Sequence, residues 1–153
     1  YIPGAFRVDY VFTTNCKRYQ QMTDVLHECK NRKVQIIATS NVEKMQGSFE
    51  YVMNREPLLD KKERIADNSF LMLLKVLKRA GIKKVMCAGF DGYSEKEDNY
   101  FNPKMEYGFV KKEAVHLNEH MKEAIHVAFE DMEIDFLTYS HYTEVEDSHD
   151  AAF

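Results

Sequence analysis

The sequence is poor in motifs that would name an activity. Its 153 residues contain no G-x-G-x-x-G, no G-x-x-x-x-G-K-[ST] and no G-x-S-x-G. These absences argue against a dinucleotide fingerprint, a P-loop and a hydrolase nucleophile elbow. No apolar run approaches the ~20 residues of a transmembrane helix, and no signal peptide is visible. The sequence therefore predicts no membrane partner and leaves the chemistry to less specific patterns.

Cysteine is scarce, and acidic residues outnumber basic ones. Cys16, Cys29 and Cys87 are the only cysteines. Neither their odd number nor their spacing suits a disulfide framework or a CxxC site, so we expect a reducing, cytoplasmic setting. Lysine and arginine number 21 against 25 acidic residues, which gives a net charge of −4. Because phosphate backbones bind basic faces, this balance argues against a nucleic-acid partner.

What the sequence does contain is four short apolar runs, each followed by small or hydrogen-bonding side chains. Because the runs are continuous rather than alternating, they predict buried parallel strands. Open α/β sheets bind ligands at the carboxyl ends of such strands, so we expect a small-molecule site there. The runs are residues 8–12, 34–38, 85–88 and 134–139. The candidate ligand-binding residues that follow them are Asn15, Ser40, Asn41, Asp91 and Tyr93.

Three amphipathic helical patterns alternate with these runs, at the three-and-four spacing of helices that bury one face. They cover residues 19–29, 66–77 and 117–128. Asp67 is placed to cap the second helix and Gly81 to end it. The alternation predicts an α/β fold, a Rossmann-like three-layer domain with a mainly parallel sheet over residues 1–143. An acidic C-terminal tail covers residues 144–153.

The most informative local feature is the sequence Gly-Phe-Asp-Gly-Tyr at residues 89–93. Its two glycines free the backbone for a sharp turn and for the close approach of a ligand. Asp91 would suit a sugar hydroxyl or would brace its own turn, and the sequence leaves both roles open. Tyr93 offers a hydroxyl donor. The start of the second helix, near Asp67, would supply free N–H groups that suit a phosphate.

Two long segments, residues 42–64 and residues 94–110, carry no clear period. Connections of this length are uncommon in compact domains and are often functional. Both follow strand ends, so each could close over a pocket or form solvent-exposed decoration.

His116 and His120 belong to an H-x-x-E-H sequence, a form found in zinc peptidase helices. The spacing puts both imidazoles on one helix face. No clear glutamate ligand follows downstream, so we expect no bound metal.

Four strings of the sequence carry a family resemblance: residues 6–19, 37–42, 66–68 and 88–93. Together they resemble a bacterial domain that follows a barrel similar to HMG-CoA lyase or 4-hydroxy-2-oxovalerate aldolase. The resemblance spans about Phe6 to Tyr142. It implies a C-terminal domain that binds a nucleotide, nucleotide-sugar or phosphorylated substrate for the barrel, which would itself hold any divalent metal. Because the chain opens at Tyr1 without methionine, we expect a fragment with this barrel upstream.

The glycine-rich turn also resembles a Gly-x-Asp-x-Tyr pattern of bacterial sialyltransferases. In those enzymes a second tyrosine follows, which here would be Tyr100, and the two hydroxyls hold a nucleotide phosphate. The resemblance implies ligand binding by Asn15 and by Asn68 or Ser69, and a base at His116 or His120. The early glycine-rich nucleotide loop of that family has no counterpart in this chain. A glycosyltransferase domain is therefore the alternative function, and a structural or homo-oligomerising module is a third.

Overall fold

The computed structural model describes residues 7–43, 47–96 and 109–143. These residues form two compact units. The first contains residues 7–43, 47–61 and 66–73, and the second contains residues 62–65, 74–96 and 109–143. Tyr100 and the predicted acidic tail lie outside the described residues, as does most of the predicted loop at residues 94–110.

A three-stranded parallel sheet with the order β1-β2-β3 forms the centre of the first unit. Its strands are β1 (Tyr10–Thr13), β2 (Gln35–Thr39) and β3 (Tyr51–Met53). The accompanying helices are α1 (Cys16–Gln21), α2 (Thr23–Asn31), α3 (Ser40–Glu43) and α4 (Ser69–Arg79), of which α4 continues into the second unit. A 3-10 helix, Glu56–Leu58, follows β3.

The middle strand and α2 supply much of the buried surface of the first unit. Ile36, on the middle strand β2, is buried. Leu26 and Cys29 are buried on α2, as the predicted apolar stripe requires. The single helix predicted over residues 19–29 is instead two helices. The backbone of Met22 leaves the helical region (φ −112°, ψ 16°), and α1 ends there.

The second unit contains two paired parallel strands, β4 (Lys84–Cys87) and β5 (Glu133–Phe136). The helices with them are a second 3-10 helix (Glu63–Ile65), the C-terminal part of α4 and the long helix α5 (Val110–Ala128). α5 buries Leu117 and Met121 along the predicted apolar stripe. Gly81, with φ of +81°, follows the end of α4 as expected of a C-terminal glycine.

β4 and β5 are not buried on both faces, contrary to the prediction. Lys84 is in register with Glu133, and Met86 with Asp135, so these side chains share one face of the sheet. Lys84 makes ion pairs with both acidic residues, and Met86 is 60% exposed. The opposite face carries the buried Cys87. Two strands with one polar face alternate inward and outward residues, so their burial differs from that of a sheet covered on both sides.

The predicted α/β class is confirmed, since parallel strands alternate with helices. The segment 42–64 was read incorrectly, because it supplies β3 and the buried side chain of Leu58. A strand of three residues is too short to show a period. The strand predicted over residues 134–139 ends at Phe136, because its partner β4 ends at the paired Cys87. No helix in the described part of the chain combines the length and apolarity needed to cross a membrane.

Candidate functional site

The carboxyl ends of β1, β2 and β3 lie along one edge of the first unit, because the strands are parallel. Asn41 joins two of these ends. Its amide donates to the carbonyl of Thr14 at 2.9 Å, and its side-chain oxygen accepts from the Thr39 hydroxyl at 2.7 Å. A hydroxyl–hydroxyl bond between Thr14 and Ser69 brings the start of α4 to the same place. We call this group the first edge; its residues are Thr14, Asn15, Thr39, Ser40, Asn41, Arg55, Asn68 and Ser69.

Two more predicted ligand-binding residues of the first edge hold backbone groups. Asn15 caps α1 by accepting from the N–H of Arg18 at 3.1 Å. The Ser40 hydroxyl accepts from the N–H of Arg55 at 3.2 Å. These bonds fix the loops that follow β1, β2 and β3, so the edge is ordered by its own side chains.

The start of α4 differs from the prediction. Asn68, not Asp67, is the cap, because its side-chain oxygen accepts from the N–H groups of Phe70 at 3.0 Å and Leu71 at 3.2 Å. The Asp67 carboxylate lies 3.7 Å from the guanidinium of Arg55 instead. The carboxylate therefore faces a cation of the first edge.

Arg55 is the residue of the first edge that the sequence analysis missed. It follows β3, and 27% of its side chain is exposed. Its guanidinium contacts Glu56 at 3.9 Å and Asp67 at 3.7 Å. Its Nε atom is buried without a hydrogen-bond partner among the described residues. The available signal was the short apolar run Tyr51–Met53 followed by polar residues, the same pattern that identified the other strand ends.

The loops after β4 and β5 form a corresponding region in the second unit, and hydrogen bonds join them. The Thr138 hydroxyl accepts from the N–H of Gly89 at 3.0 Å and donates to the Asp91 carboxylate at 3.2 Å. The N–H of His141 donates to the carbonyl of Asp91 at 2.8 Å. We call residues 88–94 and 137–143 the second edge. The carboxylate of Asp91 thus joins the two loops of the second edge through Thr138.

Gly92 is the tightest point of the second edge. Its φ is +93°, and a Cβ atom there would lie 2.8 Å from the Cβ of His141 and 2.9 Å from the side-chain oxygen of Asn118. Asn118 also binds both backbone groups of Tyr93, accepting from the N–H and donating to the carbonyl at 2.8 Å each. The predicted turn therefore exists, and α5 holds its C-terminal side through Asn118.

Tyr139 and His141 form a pair on the second edge that the sequence analysis did not name as site residues. The Tyr139 hydroxyl and the His141 Nδ1 atom are 3.2 Å apart, and the two rings meet edge to face with centroids 5.0 Å apart. Both residues are exposed. The backbone hydrogen bond from His141 to Asp91 places this pair beside the Asp91 turn.

His116 and His120 line an open pocket of about 340 Å³ on α5, together with Arg64, Glu113 and Leu117. We call it the α5 pocket. His116 is 78% exposed, whereas the Nδ1 atom of His120 is buried without a hydrogen-bond partner among the described residues. Across residues 7–43, 47–96 and 109–143, no three His, Cys, Asp or Glu side chains come together as a metal site.

The two buried cysteines, Cys29 and Cys87, are expected to be poor nucleophiles. All three cysteines are free. Burial raises the pKa of the Cys87 thiol, and burial together with the charge of Glu28 raises the pKa of Cys29. Because the thiolate is the reactive form, these two side chains are expected to be inert. Cys16 is half-buried and donates to the carbonyl of Asn41 at 3.4 Å.

The structure assigns the predicted site residues to separate groups. Asn15, Ser40, Asn41 and Asn68 come together at the first edge, Asp91 and Tyr93 at the second edge, and His116 and His120 in the α5 pocket. No protein-family model, no curated protein and no solved structure matches this chain. The case for a function therefore rests on the geometry of these three groups.

Proposed function

We propose that the first edge binds a phosphorylated small molecule such as a nucleotide, a nucleotide-sugar or a phosphorylated substrate. Arg55 carries the proposal, because it adds a cation to the carboxyl ends of three parallel strands. Ligands of α/β sheets bind at this position. The planar guanidinium matches two phosphate oxygens at once, which a lysine cannot do.

The neighbours of Arg55 support an anionic ligand. The start of α4 lies at the same edge through the Thr14–Ser69 bond, and a helix N-terminus favours negative charge. The hydroxyls of Thr14 and Ser69 are further donors. Asp67 and Glu56 are counter-ions of Arg55, at 3.7 and 3.9 Å. Both separations are longer than a hydrogen bond, so a phosphate that makes direct bonds has an advantage over them.

Within this proposal the chain is the C-terminal domain of a cytoplasmic aldolase-like protein and serves an upstream barrel. The three free cysteines support the reducing setting. A glycosyltransferase-type domain is the second candidate, because the α5 pocket holds two imidazoles, either of which could accept a proton. A structural or homo-oligomerising role would follow if no ligand is found.

A thermal-shift screen tests the first candidate. The panel contains CMP, UDP, nucleotide-sugars, sugar phosphates and a keto acid at millimolar concentration. A ligand selective for the folded state stabilises it by about 2.7 kcal/mol at a hundred times its Kd. We expect a phosphorylated member of the panel to raise the Tm.

Two arginine variants make the result specific to the first edge. Removing a hydrogen bond to a charged group lowers affinity roughly ten- to a hundredfold, so Arg55→Gln should abolish most of the shift. Arg32→Gln is the matched control, because Arg32 is paired with Glu28 on the surface of α2. An equal shift in wild type and Arg55→Gln would remove the first edge from consideration.

A further inference from the structure

We propose that the α5 pocket is a separate binding site for a small organic oxyanion, a carboxylate or a phosphate, anchored by Arg64. Its five lining residues all belong to the second unit. The inference therefore does not depend on the proposed function of the first edge. Its volume of about 340 Å³ lies within the range of small-molecule sites, roughly 300 to 1,000 Å³.

Helix periodicity explains why the pocket exists. Glu113, His116, Leu117 and His120 recur at three-and-four spacing and so share one face of α5. The second 3-10 helix places Arg64 over this face. Leu117 is buried and forms an apolar floor. The pocket thus has one apolar surface and several polar groups above it, as small-molecule sites commonly do.

Two ion pairs hold the 3-10 segment against α5. Arg64 is paired with Glu113, and Lys62 is paired with Glu123 further along the helix. Ile65, next to Arg64, is 2% exposed and anchors the segment in the core. Both walls of the pocket are therefore built on ordered elements, and little ordering is needed when a ligand binds.

The side chains of the five described lining residues carry more N–H donors than acceptor oxygens. The Arg64 guanidinium carries five N–H groups, and each imidazole carries at least one. Glu113 is the one residue among the five that can be negatively charged. A ligand that satisfies these donors must bring acceptor oxygens. Carboxylate and phosphate groups do so, and the floor at Leu117 suits a short carbon skeleton.

Glu113 has a specific part in this site. It pairs with Arg64 and therefore competes with an incoming oxyanion for the same guanidinium. Removal of Arg64 and removal of the Glu113 charge should consequently change affinity in opposite directions. A cationic ligand or a metal ion would give the reverse pattern, because either would use the carboxylate as a partner.

Titration with inorganic phosphate and with acetate, at constant pH and ionic strength, tests the proposal. The readout is the ¹H–¹⁵N signal of the histidine rings. We expect a saturable change at His120 with one or both anions, and the anion that saturates identifies the ligand class. Arg64→Gln should weaken binding roughly ten- to a hundredfold, Arg64→Lys should weaken it less, and Glu113→Gln should tighten it.

Lys62→Gln is the matched control, because it also removes an ion pair between the 3-10 segment and α5 but lies outside the pocket lining. The affinity of the Lys62→Gln variant for phosphate or acetate should stay within about twofold of wild type, since exposed charges beyond direct contact are screened. Changes that never saturate with either anion would overturn the proposal. So would an Arg64→Gln variant that binds like wild type, or a Glu113→Gln variant that binds more weakly.

Discussion

The first and second edges are both carboxyl ends of parallel strands, yet their polar groups are arranged differently. At the first edge, side chains tie the loops together and leave a cation, Arg55, whose nearest acidic contact is 3.7 Å away. At the second edge, Thr138 bonds the Asp91 carboxylate directly, and Gly92 is packed against a neighbouring loop and helix. The second edge contains the more conspicuous motif. The first edge contains the better-placed charge for an anionic ligand.

The contrast shows how a glycine-rich strand end can be structural. A glycine with positive φ provides room either for a ligand or for another part of the same chain. At Gly92 the occupants are His141 and Asn118. At Gly89, no described residue beyond its two chain neighbours comes within 4 Å of the position that a Cβ would take. Both glycines have positive φ, but only at Gly92 would a side chain also clash with its described neighbours. Substituting each glycine in turn tests this difference.

The largest effect is expected at Gly92. Gly92→Ala places a Cβ on a left-handed backbone, which destabilises the fold by about 1–2 kcal/mol. The clash of this Cβ with its neighbours should destabilise the fold by about 1–3 kcal/mol more. Gly89→Ala, at φ of +75° but in open space, should lose only the backbone part. The free energy of unfolding in urea measures both. Equal losses in the two variants would mean that Gly92 is not required for packing.

Asparagines provide the next comparison, one in each unit. Asn41 binds the buried residues Thr14 and Thr39, and Asn118 binds the partly buried backbone of Tyr93. Leaving buried partners unsatisfied costs about 1–3 kcal/mol. We expect Asn41→Ala to lie at the upper end of that range and Asn118→Ala below it. Urea unfolding again gives the values. A stable Asn41→Ala variant with lost ligand affinity would instead support the role that the sequence predicted for Asn41.

Sequence patterns predicted where the strand ends lie, but they did not predict the side-chain contacts at those ends. Alternating strand and helix periods are local properties, so the α/β class and the positions of Asn15 and Asn41 could be predicted. Arg55 was missed because β3 has three residues. The bond between Asn118 and Tyr93 joins positions 25 residues apart, and no local pattern encodes it. The cap of α4 is Asn68, whereas Asp67 lies 3.7 Å from Arg55, a residue 12 positions earlier in the chain.

A smaller loss of stability is expected at Thr138, whose hydrogen bonds on the second edge are exposed. Thr138→Val removes the hydroxyl that joins Gly89 to Asp91, which should cost about 0.5–1.5 kcal/mol. Asp91→Asn keeps an oxygen that accepts from Thr138, so its stability should change by less than about 0.5 kcal/mol. Thermal or urea unfolding of the two variants separates these outcomes. If Asp91→Asn leaves stability unchanged but lowers the affinity for a sugar-containing ligand, the carboxylate has a binding role as well.

The smallest expected effect is on the pH dependence of stability, and it concerns the ion pair that holds the 3-10 segment to α5. Lys62 lowers the pKa of Glu123 below its usual value, through their hydrogen bond and charge interaction. The folded state therefore binds fewer protons at this site than the unfolded state in mildly acidic solution. The resulting stabilisation is present above the unfolded pKa and is lost as the pH falls through the folded one.

Glu123→Gln and Lys62→Gln should each flatten the acid side of the stability profile slightly, because surface ion pairs contribute little. The double variant should add nothing further, since the two single changes remove the same interaction. Urea unfolding across the acid range provides the measurement. Additive effects in the double variant would show that the two side chains act independently.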